Sequence, residues 1–229
     1  MQGNGYRIFP LGDSALTVEF GTGISLDLNK KALALAAYFD QKPFAGFIEC
    51  VPAYSSTSVF YDPVKVRANN EQFATAFDAV KSLAETGINA TGGSPGINKA
   101  REIEIPVNFG REAALDLDFV AENHCLSTEE VVDIFTAATY RVFMLGFLPG
   151  FAYMGEVDDR IATPRKDTLR LSVPRGSVGI AGGQTGIYSL DSPGGWQIIG
   201  RTEVPMFIPS AENPSLLQPG DQVRFVAIK

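Results

Sequence analysis

The sequence contains few of the residues on which metal and redox chemistry depend. Among its 229 residues are two cysteines, Cys50 and Cys125, and one histidine, His124. The cysteines lie far apart and do not form the closely spaced pairs of zinc sites or of redox CxxC motifs. We therefore expect no metal site, and the apolar neighbours of both thiols predict that they are buried. His124 is expected to cap carbonyl groups at a helix end.

Basic residues are scarce relative to acidic ones. The chain has 19 lysines and arginines against 26 aspartates and glutamates, a formal net charge of −7. Proteins that bind nucleic acids cluster basic side chains to displace phosphate counterions, whereas here these side chains are scattered singly. Nucleic acid is therefore not an expected partner.

Long apolar runs are also missing. No stretch approaches the ~20 apolar residues that cross a bilayer. The first twenty residues lack the basic and then apolar pattern of a signal peptide. We expect a cytoplasmic protein with no membrane partner. The familiar GxSxG, HExxH and Walker A motifs are absent as well, so no catalytic residue can be assigned and no nucleotide motif is present.

Short strands and amphipathic helices are predicted in residues 1–91. Residues 6–20 predict two strands around a turn at 10–13, and residues 25–39 predict a helix that begins after Ser25. The runs GFIECVPAY and STSVFYDP predict a hairpin, and residues 69–85 a second helix. The order β-β-α-β-β-α predicts a small α+β domain with helices on one face of an antiparallel sheet.

Residues 92–99, rich in Gly, Ser and Pro, predict a linker to a second domain over residues 100–229. That domain opens with a strand at 101–109 and two short helices at 116–123 and 127–139. Ser127 and Glu130 have the spacing of a capping box. From Tyr140 onward, short apolar runs interrupted by Gly and Pro predict a sandwich or a barrel.

The glycine-rich stretch GIAGGQTG carries Gln184 and Thr185. Its glycines allow the backbone to turn tightly or to approach a ligand, and a simple bulge is the alternative. An amide such as Gln184 can donate to and accept from a lactam or carboxamide edge.

Aromatic and basic side chains supply the other candidates. Trp196, the only tryptophan, follows Pro-Gly-Gly and lines either a cleft or the core. Anion-binding candidates are Arg165, Arg175 and Arg201, because guanidinium binds carboxylate through paired hydrogen bonds. Tyr188 can add a hydroxyl, although strand tyrosines are usually structural.

The run LGFLPGFAYMGE offers an apolar wall through Phe147, Phe151 and Tyr153, with a plain core turn as the alternative. Glu156, Asp158 and Asp159 follow it. For these carboxylates we predict a turn and a surface ion pair with the next arginine rather than acid–base catalysis.

Residues 146–202, from GFLPGFAYMGE to GGWQIIGRT, resemble the family of B-type 5-oxoprolinase subunits, also known as KipI or allophanate hydrolase subunit 1. YRIFPLGDSALTVEFG and VPAYSSTSVFYDP resemble that family's N-terminal domain. The resemblance implies a small α+β domain with an antiparallel sheet, followed by a mainly β, cyclophilin-like barrel. It implies ATP-dependent opening of 5-oxo-L-proline to L-glutamate together with A- and C-type subunits. ATP would bind chiefly on a partner subunit, and this chain would be inactive alone.

The resemblance also focuses the candidate site. The substrate-binding residues that we predict are Gln184, Thr185, Arg165, Arg201, Tyr188, Trp196, Phe147 and Tyr153. Many family members have a histidine where this chain has Phe135, so its activity would be altered if that histidine takes part in the reaction. Two alternatives stay open: a KipI-type inhibitor that binds a sporulation histidine kinase, and a small-molecule-binding regulatory module.

Overall fold

The computed structural model describes residues 5–92 and 100–228. The chain divides into two units, Met1–Lys99 and Ala100–Lys229. The predicted linker, residues 92–99, lies outside the described residues except for Gly92. Among the described residues, no helix has the length and apolar character needed to cross a membrane.

The first unit is a four-stranded antiparallel sheet with helices on one face. Its strands run in the order β1-β2-β4-β3. Alternate strand residues such as Leu16, Val18 and Val59 are fully buried and share a core with Leu35 of the first helix. The elements are β1 (Arg7–Pro10), β2 (Ala15–Glu19), α1 (Leu26–Gln41), β3 (Phe47–Pro52), β4 (Ser56–Tyr61), α2 (Pro63–Asn69) and α3 (Ala76–Thr91).

The helix predicted over residues 69–85 is present as α3, but its predicted bounds are wrong and α2 was not predicted, because local capping signals define two helices. Asp62 accepts hydrogen bonds from two backbone N–H groups of α2, and Pro63 occupies its first turn, where a missing N–H costs nothing. Thr75 caps α3 in the same way. That helix continues through Gly87, where a Cβ would lie 2.8 Å from Tyr38 Cδ1, so the glycine allows α1 and α3 to approach.

The second unit is a closed barrel in the order β10-β7-β6-β13-β5-β12-β9, with β11 and β8 forming a separate two-stranded ribbon. Together the two units confirm the predicted architecture of an α+β domain followed by a mainly β barrel domain. The elements are β5 (Glu102–Asn108), α4 (Leu117–Asn123), α5 (Thr128–Ala137), β6 (Thr139–Leu145), β7 (Ala152–Gly155), β8 (Arg170–Val173), β9 (Ser177–Ala181), β10 (Gln184–Ile187), β11 (Ser192–Gly194), β12 (Gln197–Arg201) and β13 (Gln222–Ile228).

Helix α5 closes the barrel core. The predicted capping box at its start is confirmed, since Ser127 and Glu130 each accept a backbone hydrogen bond from the other. Phe135, on the same helix, is fully buried, and its ring centroid lies 4.9 Å from that of Phe225. The Tyr140 hydroxyl donates to the Phe135 carbonyl at 2.9 Å. Phe135 therefore occupies a packing position in the barrel core.

The predicted burial of the cysteines is wrong for Cys125, which is exposed, and Cys50 is half-buried. Cys125 lies in the turn after α4 and has a φ of 55°. Burial raises the pKa of the Cys50 thiol to about 12, with smaller contributions from Asp40 and Glu49. In the described parts of the chain, no group of three or more histidine, cysteine or acidic side chains could hold a metal ion.

We predict that Phe135→Ala lowers the free energy of unfolding by roughly 3–5 kcal/mol, because it leaves a cavity beneath Phe225 and Tyr140. The matched control is Phe119→Ala on α4, a phenylalanine that is 49% exposed. Denaturant unfolding followed by circular dichroism measures both. A loss at Phe135 no larger than that at Phe119 would contradict a core role for Phe135.

Candidate functional site

The candidate site lies on the outer face of the barrel, where β7, β9, β10 and β12 are neighbours. Two glycines allow aromatic rings to lie close to these strands. A Cβ on Gly186 would be 2.9 Å from the Phe151 ring, and one on Gly179 would be 3.0 Å from Trp196 Cβ. Such distances exclude a larger side chain without movement, so the aromatic layer depends on these glycines.

Five aromatic residues form this layer, called the aromatic cluster below: Phe147, Phe151, Tyr153, Tyr188 and Trp196. The Phe151 ring centroid lies 4.8 Å from that of Tyr153, 5.5 Å from that of Trp196 and 5.4 Å from that of Tyr188. The contacts are edge-to-face, which is favourable for aromatic pairs. Phe147 is 59% exposed, whereas Trp196 is 5% and Tyr188 is 1% exposed. The structure thus brings the predicted aromatic residues together, some at the surface and some packed beneath it.

Arg165 lies at the edge of the aromatic cluster. Its guanidinium carbon is 5.8 Å from the Trp196 ring centroid, a cation–π distance. Two hydrogen bonds attach the loop that carries Arg165 to the region around Trp196. The backbone N–H of Lys166 donates to the Gly195 carbonyl at 2.7 Å, and the side-chain amide of Gln197 donates to the Pro164 carbonyl at 2.9 Å.

A buried carboxylate, Asp116, holds this loop in place. It accepts hydrogen bonds from Lys166 at 3.0 Å, from Arg170 at 2.6 and 2.7 Å, and from the Ile198 N–H at 2.7 Å. Burial alone would raise the pKa of Asp116, but Arg170, the Ile198 N–H and Lys166 together bring that pKa below its usual value. Asp116 therefore stays ionised and ties three distant segments together.

Sequence reasoning missed this role of Asp116 and treated it only as the start of a helix. The signal was ambiguous because an aspartate before an amphipathic helix is typical of an N-cap. Its side chain makes no cap hydrogen bond among the described residues and instead reaches partners 50 to 82 positions away. No local pattern reports such contacts.

Gln184 and Thr185 differ in accessibility. Thr185 is fully buried, and its hydroxyl donates to the Gly179 carbonyl at 2.9 Å. Gln184 is half-buried and directly follows the two-residue turn of a hairpin, where Gly182 adopts a φ of 60°. Because strand side chains alternate, Gln184 shares the face of Gly186, which is the face covered by Phe151. Gln184 therefore belongs to the outer face, and Thr185 to the interior.

The Tyr188 hydroxyl already has a partner, since it interacts with the backbone N–H of Trp196. Burial raises the pKa of Tyr188, while that N–H and Arg165 act in the opposite direction. Burial also raises the pKa of Tyr153. Both phenols thus stay protonated at neutral pH and can serve only as neutral hydrogen-bonding groups.

Arg201 lies far from Gln184. Strand β9 pairs its last residue, Ala181, with Gln184 and its first, Ser177, with Arg201. Four residues of strand span roughly 13 Å, so a small molecule bound at Gln184 does not reach Arg201. Arg175 and Arg201 instead line a separate cavity of about 180 Å³.

The remaining polar candidates have structural partners. The prediction that His124 caps carbonyl groups is confirmed through its backbone, because its N–H donates to the Ala121 and Glu122 carbonyls at the end of α4. The His124 ring lies 3.0 Å from the Thr163 hydroxyl. The predicted turn and surface ion pair are confirmed: Asp158 accepts two hydrogen bonds from the Arg160 side chain, at 3.0 and 2.8 Å. The Arg160 contact lowers the pKa of Asp158 to about 2. Glu156 is exposed.

The carboxyltransferase domain family, subdomain C and D, matches residues 6–217. The B-type 5-oxoprolinase subunit of Bacillus subtilis (strain 168) is 46% identical over 224 residues, which cover 97% of this chain and 93% of that protein. The B-type 5-oxoprolinase subunit of Escherichia coli O157:H7 is 37% identical over 223 residues, 97% of this chain and 96% of that protein.

Solved structures share the fold. The crystal structure of TTHA0988 superposes with a TM-score of 0.80 at 37% identity, covering 94% of this chain, and the chain spans only 40% of that protein. PH0987 from Pyrococcus horikoshii gives 0.55 at 43% identity, with 97% and 98% of the two chains covered. Kluyveromyces lactis urea carboxylase gives 0.74 at 21% identity, covering 98% of this chain and 22% of that one, which shows a common fold alone.

We predict that Asp116→Asn lowers the free energy of unfolding by about 2–4 kcal/mol at pH 7, because Lys166 and Arg170 lose their buried counter-charge. The pKa of Asp116 is lower in the folded than in the unfolded chain, so its contribution is present above about pH 4. That contribution is lost as the pH falls through the folded-state pKa.

Urea unfolding between pH 3 and pH 7 tests this prediction. The exposed neighbour in the same loop, Asp167→Asn, is the control and should change stability by less than about 0.5 kcal/mol. A difference between wild type and Asp116→Asn that stays constant with pH would contradict the ionised role.

Proposed function

Because the chain belongs to the family of B-type 5-oxoprolinase subunits, we propose that it forms part of a 5-oxoprolinase and binds 5-oxo-L-proline at its aromatic cluster. The observation that carries the location is the cation–π contact of Arg165 with Trp196, on the face that also carries Gln184. A positive group and a carboxamide thus border one aromatic surface.

These groups match the chemistry of a lactam acid. The Gln184 amide can donate to the lactam oxygen and accept from the lactam N–H. Arg165 can bind the carboxylate through two parallel hydrogen bonds. The exposed ring of Phe147 and the partly exposed ring of Tyr153 offer apolar surface to the flat ring of the substrate.

We assign this chain a binding and orienting role rather than acid–base catalysis. The phenols stay protonated and Asp116 is fully engaged by its partners, so neither offers a poised base. Holding a substrate in the reactive orientation is itself a large part of catalysis. In the proposed reaction, ATP on a partner subunit phosphorylates the lactam oxygen and releases ADP. Water then adds to that carbon, and cleavage of the C–N bond gives γ-glutamyl phosphate. A second water hydrolyses this acyl phosphate to glutamate and phosphate.

Reconstitution tests the proposed function. The purified chain is mixed with A- and C-type 5-oxoprolinase subunits, ATP and 5-oxo-L-proline, and the release of glutamate and phosphate is measured. We expect release only when all subunits are present. Full turnover without this chain would contradict the proposal, and inhibition of histidine kinase autophosphorylation by the chain would favour the regulatory alternative.

We predict that Gln184→Ala and Arg165→Ala each lower kcat/KM of the reconstituted enzyme by about 10- to 100-fold, since each removes a polar contact with the substrate. The melting temperature should hardly change, because Gln184 is half-buried and Arg165 is exposed. Arg111→Ala, at a side chain that is 94% exposed in the same domain, is the control for loss of a positive charge. Unchanged turnover in both variants would place the substrate elsewhere.

A further inference from the structure

A cavity, called the second cavity below, lies beyond the end of strand β10 that is opposite to Gln184. It encloses about 180 Å³, room for roughly six water molecules at ~30 Å³ each, which suits a small metabolite rather than a nucleotide. Its wall contains both polar and apolar residues. The lining residues on which the argument depends are Arg175, Ser189, Arg201, Val204, Pro205 and Met206.

Two polar atoms of this wall have unmet hydrogen-bonding capacity. Within the described residues, neither the Ser189 Oγ nor the Arg201 Nε makes a hydrogen bond, and both atoms are buried. The Arg201 Nε has only an ion-pair contact of 3.7 Å with the exposed Glu203. Both atoms can donate a hydrogen bond, and a buried donor without an acceptor is unfavourable. Neither donor thus has an acceptor at hydrogen-bond distance, although the Glu203 carboxylate also lines the cavity.

Hydrogen bonds of the backbone N–H groups fix the part of the cavity wall between Arg175 and Arg201. The Gly176 N–H donates to the Tyr188 carbonyl at 2.7 Å, and the Thr202 N–H donates to the Gly176 carbonyl at 2.9 Å. The Arg175 N–H donates to Asp191 at 2.7 Å. Gly176 has a φ of 81°, and a Cβ there would lie 2.1 Å from the Thr202 carbonyl oxygen, so only glycine fits. These bonds keep the cavity formed without a ligand.

We propose that this cavity binds the oxyanion of a small molecule, a carboxylate or a phosphate, through Arg201 and Ser189. Oxyanions are acceptors only, so they satisfy both unpaired donors, and guanidinium binds them with paired hydrogen bonds. Arg175 adds a second positive charge at the same cavity. Val204, Pro205 and Met206 leave apolar surface for a short carbon skeleton. This site shares Tyr188 with the aromatic cluster, but Arg201 and Gln184 lie at opposite ends of β9.

Isothermal titration of the full chain tests the proposal, with inorganic phosphate and acetate as separate probes and ionic strength held constant with chloride. We expect saturable binding of at least one probe. Arg201→Ala should weaken it by at least about tenfold, and Ser189→Ala by about three- to tenfold. Arg111→Ala, at a side chain that is 94% exposed, is the control and should leave binding unchanged.

The two probes distinguish the sources of the oxyanion. Binding of phosphate alone indicates a phosphate ligand, and binding of acetate alone indicates a carboxylic acid. No saturable binding of either probe up to ~10 mM, or equal binding by Arg201→Ala, would overturn the proposal. The melting temperature of Ser189→Ala should be unchanged or raised, because the hydroxyl it removes has no partner. The titration needs neither ATP nor partner subunits. A negative titration would therefore overturn the second binding site without affecting the test of the proposed 5-oxoprolinase function.

Discussion

The carboxylate of Asp116 is the interaction on which the barrel surface depends. Taking a carboxylate out of water costs several kcal/mol unless charges and hydrogen bonds replace its hydration. Here Lys166, Arg170 and the Ile198 N–H provide that replacement. They come from the Arg165 loop, from β8 and from β12. The energetic need to satisfy one buried charge therefore fixes the loop beside Trp196.

Features set by neighbours in sequence were predictable. The capping box of Ser127 and Glu130 is contained in four residues, and the hairpin of β3 and β4 follows from two apolar runs around a polar turn. The same kind of local information was available for the helix predicted over residues 69–85, whose bounds were wrong. There the apolar periodicity outweighed two local start signals, Asp62-Pro63 and Thr75, which the structure shows to be decisive.

Features set by strand register were not predictable. Gln184 and Arg201 are separated by 17 positions, and nothing in that spacing shows that β9 places them at its opposite ends. The alternation that assigns Thr185 to the interior and Gln184 to the surface likewise depends on which face of β10 meets the core. The predicted set of substrate-binding residues therefore combined Gln184 at the aromatic cluster, Arg201 at the second cavity and the buried Thr185.

Tyr188 belongs both to the aromatic cluster and to the wall of the second cavity. Its ring packs against Phe151 in the aromatic cluster, while its backbone carbonyl accepts the Gly176 N–H in the wall of the second cavity. The fully buried ring and the backbone hydrogen bond both restrain this residue, so each site has a rigid boundary that does not depend on the other. Arg165 contacts Trp196 of the aromatic cluster, and Arg201 lines the second cavity. A substitution at one arginine should therefore alter its own site and leave the geometry of the other intact, which is why their effects on binding and turnover can be separated.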